Sequence, residues 1–178
     1  MPLEKVILVD ELDREVGSAE KLRAHRDGAM HRAFSVFVFD SAGRLLLQKR
    51  AKGKYHSGGL WSNTCCGHPR PGETVASAAA RRLREEMGFG CELRPAFEFV
   101  YRAELDGGLI EHEYDHVLVG RFDGEPRPEA SEVEEWAWLG LEELRRELLT
   151  SPAGYSFWLR AAMRSGDWRK LDSMLRAA

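Results

Sequence analysis

Cysteine is scarce in this chain: three residues, two of them adjacent, Cys65 and Cys66. That is no disulfide framework, and it leads us to expect a reducing, cytoplasmic compartment. Long apolar runs are missing. None approaches the roughly 20 residues that a membrane-spanning helix needs, and Met1-Pro2-Leu3-Glu4-Lys5 lacks the layout of a signal peptide. An excess of one charge is missing too. Twenty-six basic residues face 29 acidic ones, for a formal net charge of -3, so no bulk field draws a nucleic acid. Repeats and low-complexity tracts are absent. A composition of 43% hydrophobic and 31% charged residues excludes disordered and fibrous chains. What is left is 178 residues, the length of a single domain over 1–178 that can bury a real core. Histidine is also scarce, at six, yet several of the six sit beside Cys, Glu or Gly.

Periodicity and turn chemistry divide the chain. KVILV at 5–9 and FSVFVF at 34–39 read as strands. Asp40-Ser41-Ala42-Gly43 reads as a turn into a strand at 45–48. Residues 20–26 read as a loop or short helix, and 49–59, basic and glycine-containing, as a loop. The Gly and Pro spacing of 67–72 argues against regular structure. TVASAAARRLREEM at 74–87 is a helix that stops at Gly88. Segments 97–104 and 109–121 flank Asp106-Gly107-Gly108 as a long hairpin. An edge strand is expected at 133–139, a helix at 141–149, and helix again over 155–175 with a break at Gly166-Asp167. Strands mixed with a few helices, without regular alternation, predict an α+β fold, a mixed sheet between helices.

From Gly67 the chain carries Glu73, Arg81, Leu83, Glu85, Glu86, Gly88 and Phe89 at fixed spacings. This resembles the Nudix box, G-x5-E-x7-R-E-U-x-E-E-x-G-U with U apolar, over residues 67–89. Eight of the nine defined positions are filled. A loop feeding a helix whose carboxylates lie one turn apart can hold divalent cations against a diphosphate. An ordinary solvated helix face explains a lone E-E-x-G but not eight matches together. The ninth position wants Glu and holds Arg82. In Nudix hydrolases that Glu is a principal ligand of the water-activating metal, so Arg82 weakens a hydrolytic reading.

Asn63-Thr64-Cys65-Cys66-Gly67-His68-Pro69 resembles the N-x-x-C-G-H-P segment of type I isopentenyl-diphosphate isomerases, which use the Nudix fold without hydrolysis. Ala24-His25 with His31, Trp61-Ser62-Asn63, Tyr101-Arg102-Ala103, Glu111-His112-Glu113 and Tyr155-Ser156-x-Trp158 extend the resemblance in order over residues 20–160. Glu111 and Glu113 are two apart on a predicted strand, so they share a face. Three imidazoles and two carboxylates can build an octahedral site with one open position, of a kind that suits Mn, Fe, Zn or Mg better than Cu(I). The resemblance implies that His25, His31, His68, Glu111 and Glu113 hold one Mn²⁺, or Zn²⁺ or Mg²⁺. His112 falls on the opposite face and reads as structural, and Asp115 as a neighbour behind the ligands. His56 reads as a loop residue and His116 as core, without further role.

The family's reaction is a 1,3 proton shift across a double bond, through a tertiary carbocation. It needs two proton-transfer groups flanking a dry apolar slot. The resemblance implies Cys66 and Glu113 in those roles, with Tyr101 orienting Glu113 and Trp158 offering its π face to the cation. It also implies that Lys21, Arg50, Lys54 and Arg82 grip the diphosphate, bridged by a Mg²⁺ on Glu86 and the Cys66 backbone oxygen, with Glu85 less directly engaged. Cys65 and Cys91 read as small buried hydrophobes, and Trp61, Trp136, Trp138 and Trp168 as core. A Nudix pyrophosphohydrolase of a nucleoside diphosphate derivative, or an inactive diphosphate-binding module, would account for the box but would leave Cys66 and the histidines without use. The expected partner is a small molecule, with no nucleic acid or membrane, on a monomer or weak dimer.

Overall fold

The computed structural model describes residues 4–176, so the expected domain over 1–178 runs past the described residues at both ends. β1 (Lys5–Val9) and β2 (Glu15–Glu20) form an antiparallel hairpin. Its turn is tied by Asp10 Oδ1, which accepts from the backbone N–H groups of Leu12 and Arg14. Nothing in the sequence of β2, EVGSAE, announces a strand, because it has no apolar alternation. It forms because β1 offers it an edge. α1 (Lys21–Asp27) follows and ends at Gly28, whose φ of 63° lies in the left-handed region.

β3 (His31–Phe39) and β4 (Arg44–Arg50) are joined by the expected turn, where Asp40 Oδ1 accepts from the Arg44 backbone N–H at 2.8 Å. Two short strands, β5 (Trp61–Ser62) and β6 (Cys65–Gly67), precede α2 (Val75–Met87). Gly67, expected outside regular structure, is the last residue of β6. β7 (Leu93–Glu104) and β8 (Ile110–Arg121) are the long hairpin. β9 (Val133–Gly140), α3 (Leu141–Thr150), α4 (Phe157–Arg164) and α5 (Arg169–Arg176) complete the order, with the last two helices separated around Gly166.

The strands make one mixed sheet centred on β3. One edge of β3 pairs with β8, parallel and in register from His31↔Glu113 to Phe39↔Arg121. The other edge is shared among β1 at His31, β6 at Phe34–Val36 and β4 at Phe39. β9 lies at an edge, against β4. Residue alternation then sorts the core. Phe34, Val36 and Val38 face Ala78, Ala79, Leu83 and Met87 of α2. Phe37 and Phe39 face Leu141, Leu144 and Leu159 of α3 and α4. The result is the expected α+β sandwich.

α2 starts where Thr74 Oγ1 accepts from the Ser77 backbone N–H at 3.1 Å. It stops at Gly88, where φ is 73° and any Cβ would collide with the Arg127 carbonyl. Cys65 is fully buried. Cys91 and the four tryptophans read as core are only partly buried, packed on core margins. His116 departs from its core expectation: it lies on the outward face of β8, with Nε2 2.9 Å from Asp13 and Nδ1 3.2 Å from Glu98. That face is polar because Tyr114 and His112 share it.

Candidate active site

Strand register builds the centre of the site. His31 on β3 and Glu113 on β8 are direct partners, and so are Glu113 and Tyr101 on β7. Three side chains from three strands therefore stand in one row. The period of two puts Glu111 and Asp115 on the same buried face and sends His112 outward, where its Nδ1 lies 3.1 Å from the Gly28 carbonyl. β6 pairs Cys66 with Ser35 and delivers His68 just past its end. α1 brings in His25 from its last turn.

The imidazoles converge. His25 and His31 ring centres are 4.8 Å apart, and His31 and His68 ring centres 4.9 Å. His25 Nδ1 lies 2.7 Å from the Lys21 carbonyl, and His31 Nδ1 lies 2.8 Å from the Ala29 carbonyl. Those acceptors fix the tautomers and turn both Nε2 lone pairs inward. His68 Nε2 lies 3.2 Å from His31 Nε2 and 2.9 Å from Glu113 Oε1. His25 Nε2 and His68 Nδ1 are buried with no hydrogen-bond partner among the described residues. One donor atom each from His25, His31, His68 and Glu113 lie within 4.8 Å of one another. The unpartnered, buried His25 Nε2 beside this carboxylate fits a divalent metal and is costly without one.

Electrostatics support that reading. Burial lowers the basicity of all the site imidazoles that shift: His25 falls, and His68 falls to about 4, so both rest neutral and able to ligate. Burial alone would raise the Glu113 carboxyl, but the adjacent His31 and His68 imidazoles, with His68 Nε2 at 2.9 Å, hold it well below the usual range. Burial and then the Glu113 charge push Glu111 up, and the same two causes push up Asp115. The Tyr101 hydroxyl donates to Glu113 Oε2 at 2.5 Å and to Glu111 Oε2 at 3.1 Å, tying the pair together.

Cys66 faces the same cleft. Its thiol donates to Asn63 Oδ1 at 3.1 Å and lies 3.7 Å from Ser35 Oγ, which donates to Asp115 Oδ2 at 2.7 Å. Burial pushes the thiol far up, so it rests protonated. Trp158, 3% exposed, donates its Nε1–H to Ser62 Oγ at 2.8 Å, and the Arg50 guanidinium stands 4.9 Å over its ring.

One cleft is lined by Lys21, Arg50, Lys54, Arg82, Cys66, His68, Glu86, Tyr101, Glu111, Glu113 and Trp158. The cleft thus gathers the sequence-predicted site residues except the buried His25 and His31, while Glu111 stays outside the four-donor group of the other expected ligands. Arg82 bridges Glu85 at 2.7 Å, Glu86 at 2.5 Å and Glu132 at 3.3 Å. Lys54 meets Glu132 at 2.5 Å. Glu86 is 5% exposed and also accepts from Gln48 Nε2 at 2.9 Å. Sequence reasoning missed Glu132, which shares two of the expected diphosphate cations. It also missed His56. That side chain is buried, with Nε2 3.4 Å from Glu111 Oε1. A histidine in a basic, glycine-containing loop carries no periodicity to show which way it turns.

A family model described as NUDIX domain matches residues 29–159. The chain is 61% identical over 160 residues to isopentenyl-diphosphate Delta-isomerase 1 of Aromatoleum aromaticum, covering 90% of each chain. It is 48% identical to the isopentenyl-diphosphate Delta-isomerase of Serratia proteamaculans, covering 98% of each. Among solved structures it is similar to a Deinococcus radiodurans protein, with a TM-score of 0.75 at 23% identity, covering 90% of this chain and 98% of that one. It also resembles a MutT protein of Methanosarcina mazei, with a TM-score of 0.63 at 17% identity, covering 82% and 94%.

Proposed function

The chain belongs to the Nudix-domain family of isopentenyl-diphosphate Delta-isomerases, and from that premise we propose that Cys66 and Glu113 move the two protons of the reaction. The protein is an isomerase of isoprenoid synthesis. It interconverts isopentenyl diphosphate and dimethylallyl diphosphate, which are small-molecule substrates. One proton joins the terminal alkene carbon and leaves a tertiary cation. Another leaves the neighbouring carbon, and the double bond moves by one position. Cys66, resting as a thiol, and Glu113, resting ionised, are complementary. One gives while the other takes, and the roles exchange in the reverse direction.

The supporting observation is that a protonated thiol, an ionised carboxylate and four cations open onto one cleft. Tyr101 orients Glu113 through its short hydrogen bond. Trp158 walls the slot with a rigid aromatic face that keeps water from the cation. Lys21, Arg50, Lys54 and Arg82 bind the diphosphate, and remote binding of that kind holds the alkene between the two proton-transfer groups.

His25, His31, His68, Glu111 and Glu113 would hold one Mn²⁺, or Zn²⁺ or Mg²⁺; Glu86 and the Cys66 carbonyl would hold a Mg²⁺ that bridges the diphosphate. When bound, such ions supply positive charge that tunes the Glu113 carboxyl and neutralises phosphate oxygens. We further propose that the chain acts as one domain, as a monomer or weak dimer in the cytoplasm, without nucleic-acid or membrane partners. Near-balanced charge supports this, as does the fact that no helix among the described residues is long and apolar enough to cross a membrane.

The pyrophosphohydrolase reading is disfavoured, because the relatives carry the isomerase name and Arg82 ties up the box carboxylates. The test is isopentenyl diphosphate with the purified protein and Mg²⁺ in D₂O, followed by NMR. Deuterated dimethylallyl diphosphate without released phosphate is expected. Phosphate or pyrophosphate release instead would refute the isomerase reading.

A further inference from the structure

Three consecutive polar residues, Ser62, Asn63 and Thr64, are almost wholly buried where β5 gives way to β6. Buried polar groups are costly unless each finds a partner, so their hydrogen bonds must account for them. Thr64 bridges two strands. Its hydroxyl donates to the Leu46 carbonyl at 2.7 Å and accepts from the Val38 backbone N–H at 2.9 Å. That is a structural task with nothing left over. Asn63 begins in the same way. Its Nδ2 donates to the carbonyls of Val36 at 3.1 Å and Cys65 at 3.0 Å, which braces β3 against β6 and fixes which end of the amide is oxygen.

The oxygen end does something that bracing does not require. Asn63 Oδ1 accepts from the Ser62 hydroxyl at 3.0 Å and from the Cys66 thiol at 3.1 Å. Ser62 Oγ in turn accepts from Trp158 Nε1–H at 2.8 Å and lies 3.0 Å from Ser156 Oγ. Its one proton goes to Asn63, so Ser156 is the donor of the serine pair. Trp158, Ser62, Asn63 and Cys66 therefore form one hydrogen-bonded strut with every direction set: indole N–H to serine oxygen, serine O–H to amide oxygen, thiol S–H to that same amide oxygen. Trp158 and Cys66 line the cleft. Ser62 and Asn63, 1% and 0% exposed, lie behind it.

We propose that Asn63 and Ser62 are positioning residues for the isomerisation, holding the Cys66 sulfur and the Trp158 ring at one fixed spacing in the cleft wall. The inference rests on the roles given to Cys66 and Trp158 under Proposed function and deepens them. Proton transfer beside a carbocation works only if the thiol meets the reacting carbon while the aromatic face covers it, in one bound pose. Trp158 arrives on α4 and Cys66 on β6, so without a link the two can shift independently. The sulfur can occupy several rotamers, and Asn63 Oδ1 selects one. The diphosphate cations Lys21, Arg50, Lys54 and Arg82 stand on other elements, so the strut acts on the chemical step more than on binding.

The test is steady-state kinetics of the full chain with isopentenyl diphosphate, in Asn63→Ala, Ser62→Ala and Cys66→Ala. Ser62→Ala is also made on Trp158→Phe, which keeps an aromatic ring and loses the N–H. Asn63→Ala should lower kcat by about 10- to 100-fold, with KM changing much less. Ser62→Ala leaves the two amide-to-carbonyl bonds in place, so it decides the matter if Asn63→Ala fails to fold. It should lower kcat by about 10-fold. On Trp158→Phe it should cost little more, because the strut is already cut. Full additivity there, a rise in KM with kcat kept, or wild-type kcat in Ser62→Ala would overturn the proposal and leave the network a structural brace. Cys66→Ala separates this failure from failure of the reading beneath it. Wild-type kcat in Cys66→Ala defeats both; a loss there beside wild-type kcat in Ser62→Ala defeats the positioning role alone.

Discussion

Two groups of carboxylates in and beside the cleft live by opposite rules. On α2, Glu85 and Glu86 are each met by an arginine, and Glu73 outside the cleft is met by Arg81 at 2.8 and 2.9 Å. Their charges are balanced by the protein itself. On β8, Glu111 and Glu113 face imidazoles and a tyrosine, with a buried His25 Nε2 close by that no group among the described residues satisfies. A balanced acidic group explains itself structurally. Buried nitrogens without partners beside ionisable carboxylates point to something the protein binds. The box helix that carries the family signature is therefore the side balanced by its own arginines, and the less conspicuous strand is the side whose donors are compatible with a divalent ion.

The largest effect that would test this contrast is at Cys66, between the two regions. Cys66→Ala should lower kcat by about 10²-fold or more while the bound transition metal, by elemental analysis, stays as in wild type. Normal turnover would remove the thiol from the chemistry. Next, His25→Ala should reduce metal affinity by more than the roughly 10–100-fold that outer partners of a metal are worth. Glu85→Gln on the helix should leave that metal in place. Equal losses would erase the distinction between the strand and the helix.

Arg82→Ala acts on the helix side. It removes a proposed diphosphate cation and unmasks Glu86, so KM should rise about 10-fold, from the loss of one charge-assisted contact, with kcat changing much less. A fall in kcat with KM constant would give Arg82 a role in the chemistry itself. The smallest effect is at Glu73. Hydrogen bonding from Arg81 holds its carboxyl below the ordinary value. Its contribution is therefore present above the ordinary carboxyl pKa, and is lost as pH falls through the depressed one. Glu73→Gln should cost about 1 kcal/mol or less near neutrality. Denaturant unfolding should show that difference fading as the pH falls through the depressed Glu73 value. A cost that persists there would mean Glu73 does more than balance Arg81.

Local chemistry made much of this legible beforehand. Thr74 and Gly88 bound α2 where capping preferences put them, and Asp40–Gly43 makes its turn. Alternation of the β8 residues separates Glu111, Glu113 and Asp115 from His112, Tyr114 and His116. The two-residue period did not say which neighbours the outward face would have, and so His116 was expected in the core although Asp13 and Glu98 hold it at the surface. β2 was invisible because its pairing comes from β1 and not from its own side chains.

The sequence by itself determined the α+β architecture, the Nudix-like box with its Arg82 departure, and the residues that carry the isomerase resemblance. Each is written in periodicity, capping or fixed spacing, which are local properties of the chain. Only the tertiary structure decided that His31, Glu113 and Tyr101 stand in one row, that burial sets the Cys66 thiol, and that Glu132 and His56 enter the cleft. Those outcomes depend on strand register, desolvation and a constrained loop. They arise where segments distant in sequence meet, and no local pattern records them.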